Sequence, residues 1–171
     1  MTGIPHLLVL GGARSGKSRY AQARAETHGG ELVFVATAEI FDEEMADRIR
    51  RHRADRDARW RTVEAPIDLP DAIRRESGEG RLLLVDCLTL WASNILLAER
   101  DAEADIARLI SAIGAAEGPL ILVSNEVGLG IVPDNALARR FRDLAGTINQ
   151  RVAAAVAEVQ LLAAGLPLRL K

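Results

Sequence analysis

Eight residues, Gly11-Gly12-Ala13-Arg14-Ser15-Gly16-Lys17-Ser18, set two glycines five positions apart, with a lysine and a hydroxyl directly after the second. This spacing matches the pattern G-x-x-x-x-G-K-[ST] at every fixed position, after the apolar run Leu7-Leu8-Val9-Leu10 and before a helical segment. Glycines at the first and sixth positions permit backbone geometry that a side chain forbids, so successive N–H groups converge on phosphate oxygens near a helix N-terminus. Lys17 is then expected to bridge the β and γ phosphates of ATP or GTP, and Ser18 to offer its hydroxyl to Mg²⁺. Of 22 basic residues only Lys17 and the terminal Lys171 are lysines. A chain that otherwise uses arginine has kept a compact ammonium where a point charge must reach phosphate oxygens. The run Leu82-Leu83-Leu84-Val85-Asp86 resembles the second P-loop element, an apolar strand ending in an acid, and makes Asp86 the candidate carboxylate on the metal side.

A second group of chemically capable residues lies between Asp47 and Arg61, where seven arginines surround His52. On a helix, Arg48, His52 and Arg56 share a face, flanked by Arg51, Asp55 and Arg59. Two readings stand on these residues alone. With Asp47, Asp55 and Asp57 the arginines make an ordinary solvated, salt-bridged surface. Alternatively, the surrounding cations disfavour the imidazolium and keep a neutral, nucleophilic histidine, while the same arginines neutralise a triphosphate during attack, which suits covalent nucleotidyl transfer. The other histidines have plainer roles: His6 begins a strand and His28 lies in a helix-ending turn.

Elements of α/β type must position these groups. Apolar runs at His6–Leu10, Leu32–Ala36, Arg81–Asp86 and Pro119–Ser124 read as buried parallel strands. Helices are expected over Lys17–Thr27, Asp42–Asp57, Asp68–Glu76, Leu88–Ala98, Ala102–Ala115 and within Asn135–Ala155, with a last strand in Val156–Ala163. The expected fold is a single P-loop NTPase domain over residues 1–171, RecA-like, with a mostly parallel sheet flanked by helices. The glycine-rich stretch Gly128–Pro133 beyond a strand's carboxyl end lies where doubly wound folds place ligands.

The formal charge of -2 argues against a nucleic-acid backbone or an anionic membrane surface as the main partner. The single cysteine, Cys87, excludes an intrachain disulfide and reads as a buried thiol in a reducing, cytoplasmic setting. No run of apolar residues is long enough to span a membrane. The Asn-Lys-x-Asp guanine-reading motif of regulatory GTPases is absent, which disfavours a signalling switch. A plain small-molecule P-loop kinase and a non-catalytic nucleotide-binding module remain as alternatives.

In order and combination, the motifs resemble the bifunctional adenosylcobinamide kinase / adenosylcobinamide-phosphate guanylyltransferase family of cobalamin biosynthesis. The resemblance is carried by the glycine loop, by Val35-Ala36-Thr37-Ala38, by Arg48-Ile49-Arg50-Arg51-His52-Arg53-Ala54-Asp55-Arg56 and by Trp60-Arg61-Thr62-Val63-Glu64. It continues through Val85-Asp86-Cys87-Leu88-Thr89-Leu90-Trp91-Ala92-Ser93-Asn94 and Ser124-Asn125-Glu126-Val127-Gly128-Leu129-Gly130-Ile131-Val132-Pro133. One departure is Ala13, where the family commonly has threonine.

The resemblance implies phosphorylation of adenosylcobinamide from ATP or GTP, followed by guanylyl transfer from GTP to give adenosylcobinamide-GDP. It implies that His52 carries GMP covalently. It also implies that Gly11 to Ser18, Thr37, Ala38, Glu39, Arg53, Ala54, Asp55, Arg56, Glu64 and Asp86 contact nucleotide or its Mg²⁺, and that the protein is a homotrimer. Asn94, Asn125 and Glu126 belong to motifs lining the cleft, either touching ligand or bracing loops. Trp60, Trp91 and the Gly128–Pro133 loop are the loosest candidates for the broad apolar surface a corrinoid ring needs.

Overall fold

The computed structural model describes residues 5–38 and 58–171. The helix expected over Asp42–Asp57 therefore lies outside the described residues, as do Glu39, His52, Arg53, Ala54, Asp55 and Arg56.

The described chain runs β1 (Leu7–Gly11), α1 (Lys17–Glu26), β2 (Glu31–Ala36), β3 (Trp60–Glu64), α2 (Leu69–Glu76) and β4 (Arg81–Asp86). It continues with α3 (Leu88–Leu97), α4 (Ala102–Gly114), β5 (Leu120–Asn125), α5 (Ala136–Ala155), β6 (Glu158–Ala163) and β7 (Leu166–Arg169). The seven strands form one sheet in the order β3-β2-β4-β5-β1-β6-β7, parallel except for β7, which returns antiparallel to β6. β5 thus lies between β1, which leads into the glycine loop, and β4, which ends in Asp86, as the RecA-like expectation requires.

Strands buried on both faces read as continuous apolar runs, and that is why LLVL, LLLV and LILV stand out in β1, β4 and β5. Their side chains alternate between two cores. Leu8, Leu83, Val85, Leu120 and Leu122 face α2, α3, α4 and α5. Leu7, Val9, Leu82, Leu84, Ile121 and Val123 face α1, which packs through Ala21 and Ala25. Small residues let α1 sit close to the sheet, so the glycine loop that starts it is held near the strand ends. Each fully buried leucine or isoleucine contributes about 1.5–3 kcal/mol relative to exposure.

Helix starts follow from capping chemistry. Asp101 and Asn135 accept hydrogen bonds from the N–H groups of Ala104 and Ala138 at the starts of α4 and α5. Pro70 sits in the first turn of α2, where its missing N–H costs nothing.

Two strands exceed the expectation. Trp60–Glu64, outside the expected strands, forms the full edge strand β3, paired in register with β2. β7 has no sequence signature, because Leu-Pro-Leu-Arg is exposed throughout and contains Pro167, which is tolerated on an edge strand where one N–H pairs with nothing. The two-residue turn that creates it, Ala164-Gly165, has φ of 52° and 80°. Tight two-residue hairpins of type I′ require this positive-φ pair.

Candidate functional site: the carboxyl edge of the sheet

β1 ends at Gly11, and the chain turns through Gly12–Ser15 before Gly16 opens α1. Gly16 has φ of 90°, a conformation a side chain strains, and its carbonyl accepts the Tyr20 N–H at 2.9 Å as the first helical bond. A Cβ at Gly11 would crowd Ser15 and approach the Leu162 carbonyl of β6 to 2.9 Å, so the first glycine is fixed by close packing. The β6–β7 turn braces the loop from outside: Gly165 N–H donates to the Ser15 carbonyl at 2.8 Å. Glu126 N–H, after β5, donates to the Gly11 carbonyl at 3.1 Å. The unpaired N–H groups at the start of α1 and the positive end of its dipole make this terminus suited to an anion.

Lys17 Nζ folds back over the loop and donates to the Gly12 carbonyl at 3.0 Å. Partial burial lowers its pKa, while the negative charge of Asp86 acts in the opposite direction. The two residues are therefore close enough to couple, although they sit on different elements 69 positions apart in sequence. Asp86 follows Leu84 by two residues and so faces the α1 side of the sheet. Its register partner on β2 is Ala36, whose partner on β3 is Glu64. Glu64, Ala36 and Asp86 therefore stand in one row across the strand ends, on the face that carries the glycine loop. Ser18, in the first turn of α1, is partly exposed beside Lys17. Oxygen donors alone, one hydroxyl and one carboxylate on the phosphate side, suit a hard cation that keeps most of its shell as water and phosphate oxygen. No cluster of three or more metal-ligating side chains occurs among the described residues.

The neighbouring residues are tied into the protein. Thr37 is fully buried; its Oγ1 donates to the Cys87 carbonyl at 2.7 Å and accepts the Cys87 N–H at 2.8 Å. The Asp86–Cys87 peptide is cis. Asn94, also buried, gives its amide hydrogens to the carbonyls of Thr37 and Pro66 at 2.8 and 2.9 Å, tying the end of β2 to the end of β3. Asn94 is thus a brace. Ala38, the next residue on the chain, is partly exposed at the same edge. Ala13 is exposed.

Burial pushes the Cys87 thiol up to about 11, so it is a neutral core group and no nucleophile. Trp91 is fully buried and donates its indole N–H to the Ile67 carbonyl at 2.8 Å, which removes it from the candidates for a corrinoid surface. Trp60 packs edge-on against Phe34, with ring centroids 6.4 Å apart. The Gly128–Pro133 loop does present apolar side chains: Leu129 is 89% and Ile131 98% exposed.

A polar network that sequence reasoning did not anticipate surrounds the end of β5. Thr89 of α3, Ser124 of β5 and Asn149 of α5 are all buried. They hold the backbone of Asn125: its N–H donates to Thr89 Oγ1 at 2.7 Å, and its carbonyl accepts from Asn149 Nδ2 at 3.2 Å. The signal available in the letters was the switch from LILV to Ser-Asn-Glu at a strand end.

Comparison with known proteins agrees with this arrangement. The family model described as cobinamide kinase / cobinamide phosphate guanyltransferase matches residues 7–170. A Pseudomonas aeruginosa protein named bifunctional adenosylcobalamin biosynthesis protein CobP is 48% identical over 166 residues, covering 96% of each chain. Salmonella typhimurium and Escherichia coli proteins named bifunctional adenosylcobalamin biosynthesis protein CobU are 41% and 39% identical, covering 96% of this chain and 99% of theirs. A solved structure from Pyrococcus horikoshii OT3 superposes with a TM-score of 0.58 at 10% identity, over 99% of this chain and 88% of that one, a likeness of fold alone. With a glycine loop, an acid at the end of β4 and a family match along nearly the whole chain, the protein belongs to the cobinamide kinase / cobinamide phosphate guanyltransferase family.

Proposed function

We propose that this protein phosphorylates adenosylcobinamide from ATP or GTP, and then transfers GMP from GTP onto the resulting phosphate. The observation that carries the reading is the family match over residues 7–170 joined to a formed glycine loop in which Lys17 feels the charge of Asp86. In the first reaction the substrate hydroxyl oxygen bonds to the γ-phosphorus as the bridging oxygen leaves with the nucleoside diphosphate, and the hydroxyl proton is released. The loop N–H groups and Lys17 hold the phosphates in place and neutralise charge on the transferred group. Ser18 and Asp86 are the residues to hold Mg²⁺, which when bound supplies further neutralisation of the phosphates.

In the second reaction an imidazole nitrogen of His52 bonds to the α-phosphorus of GTP and pyrophosphate leaves. The corrinoid phosphate oxygen then displaces the histidine, forming the diphosphate link. The assignment of His52, with Glu39, Arg53, Ala54, Asp55 and Arg56 around GTP, rests on the resemblance. All six lie outside the described residues. Thr37, Ala38 and Glu64 belong to the same assignment, at the edge where β2 and β3 end. No helix among the described residues is long and apolar enough to cross a membrane. A cytoplasmic location and a homotrimeric assembly belong to the same proposal; sedimentation equilibrium returning a monomer mass would remove the trimer, and fractionation of the native protein with membranes or envelope would remove the location.

The test separates the reactions. Lys17→Ala is expected to slow phosphorylation about 10²–10³-fold, the cost of losing one organised phosphate-charge contact. His52→Ala is expected to abolish GMP transfer while phosphorylation of adenosylcobinamide continues. Retention of normal GMP transfer by the His52 variant would remove the covalent step and leave a plain kinase.

A further inference from the structure

Asn125 is held as though its side chain mattered more than its backbone. Ser124 Oγ donates its one proton to Asn149 Oδ1 at 2.6 Å, so in the 3.3 Å contact between Thr89 and Ser124 it is Thr89 that donates. The bonds then close into a ring. Asn125 N–H donates to Thr89, Thr89 to Ser124, Ser124 to Asn149, and Asn149 returns its amide hydrogen to the Asn125 carbonyl. Three buried side chains from three elements are used to fix one backbone unit. Buried polar groups are hydrogen-bonded, and each of these three side chains has its partner within the ring.

The side chain of Asn125 is treated differently. Along β5, Leu120 and Leu122 face the larger core, Ile121 and Val123 face α1, and Ser124 bonds to α5. Alternation therefore puts Asn125 on the α1 face, beside its register partner Gly11, the first residue of the phosphate loop. Its carboxamide is partly exposed and bonds to no other described residue, in contrast to Asn94, whose amide hydrogens are taken by two carbonyls. Asp86 stands on the same face, across from Val123 and two residues short of Asn125.

Resting on the kinase reading above, we propose that Asn125 is a ligand-contacting residue of the phosphoryl-transfer step, donating its carboxamide N–H to an oxygen of the terminal phosphate held by the Gly11–Ser18 loop. The ring fixes the backbone that carries the donor, so only side-chain rotation remains as charge spreads over the phosphoryl oxygens. The contact reports whether a third phosphate is present. Nucleoside diphosphate cannot make it.

Asn125→Ala preserves every backbone bond of the ring and so leaves the fold intact; Asn125→Asp keeps the shape but replaces the donor with a like charge. Two readouts decide. In calorimetry with Mg²⁺, the unsubstituted protein is expected to bind an imido-bridged GTP analogue more tightly than GDP. The alanine variant is expected to lose about tenfold of that preference with GDP affinity unchanged, and the aspartate variant to lose more. In turnover with adenosylcobinamide, kcat for phosphorylation is expected to fall in the same order while KM for the corrinoid stays. An unchanged triphosphate preference overturns the proposal, and so does a parallel loss of GDP affinity and thermal midpoint, which would make Asn125 a structural residue. If the unsubstituted protein does not phosphorylate adenosylcobinamide at all, the substrate reading fails, and the binding comparison still decides the role of Asn125.

Discussion

His6 immediately precedes β1, where its Nδ1 accepts the Leu120 N–H at 3.2 Å. Burial lowers its pKa from the usual 6.5, since an imidazolium there would lose hydration and could no longer accept that bond. A depressed pKa means that the stabilising contribution is present above pH 6.5 and is lost as pH falls through the folded value. Thermal midpoints of the unsubstituted protein are therefore expected to fall between pH 7 and pH 5. His6→Asn, which offers an acceptor without titrating, is expected to flatten that part of the profile; equal slopes would contradict the account. Both histidines have the plain structural contacts expected of a strand start and a helix-ending turn, with His28 set against the Gly80 carbonyl at 3.2 Å. Residue type alone could not separate Asn94 from Asn125. Both occur in motifs of similar polarity, and only the geometry of donors and carbonyls makes one a brace and leaves the other facing the loop.

At the scale of elements, the glycine loop was legible because its requirements are local: positive φ at Gly16, close packing at Gly11 and a following helix. Its support was not legible, because the brace comes from the β6–β7 turn, about 150 positions later in the chain, whose strand β7 carries no alternating pattern. That distant support is testable. Gly165 has φ of 80° and an added Cβ there would meet no atom within 4 Å, so Gly165→Val acts through backbone strain, costing about 1–2 kcal/mol. Pulling the turn away from the Ser15 carbonyl is expected to weaken GTP binding several-fold although residue 165 touches no ligand in this scheme. Full retention of affinity by a folded Gly165→Val protein would make the turn a bystander. The core strands were legible for a different reason, since burial on both faces turns a parallel strand into an unbroken apolar run.

For the whole molecule, one sheet with β5 inserted between the phosphate strand and the acid strand gathers the described site residues at its carboxyl edge. The parallel sheet and its flanking helices follow from alternating apolar runs and helical segments, whereas the order of the strands comes from the structure. The family followed from motif order across the chain, and the match over residues 7–170 bears it out. What composition and periodicity left open was His52, where a solvated arginine surface and a nucleophile have the same letters, and only resemblance decided between them. The most direct measurement is incubation with Mg²⁺ and α-³²P-labelled GTP, then denaturing electrophoresis with acid and alkali treatment of the retained label. The account predicts label that is lost in acid, survives alkali and is absent from His52→Ala, the behaviour of a guanylyl-histidine. GTP binding without retained label, or label that persists in the His52 variant, would contradict it.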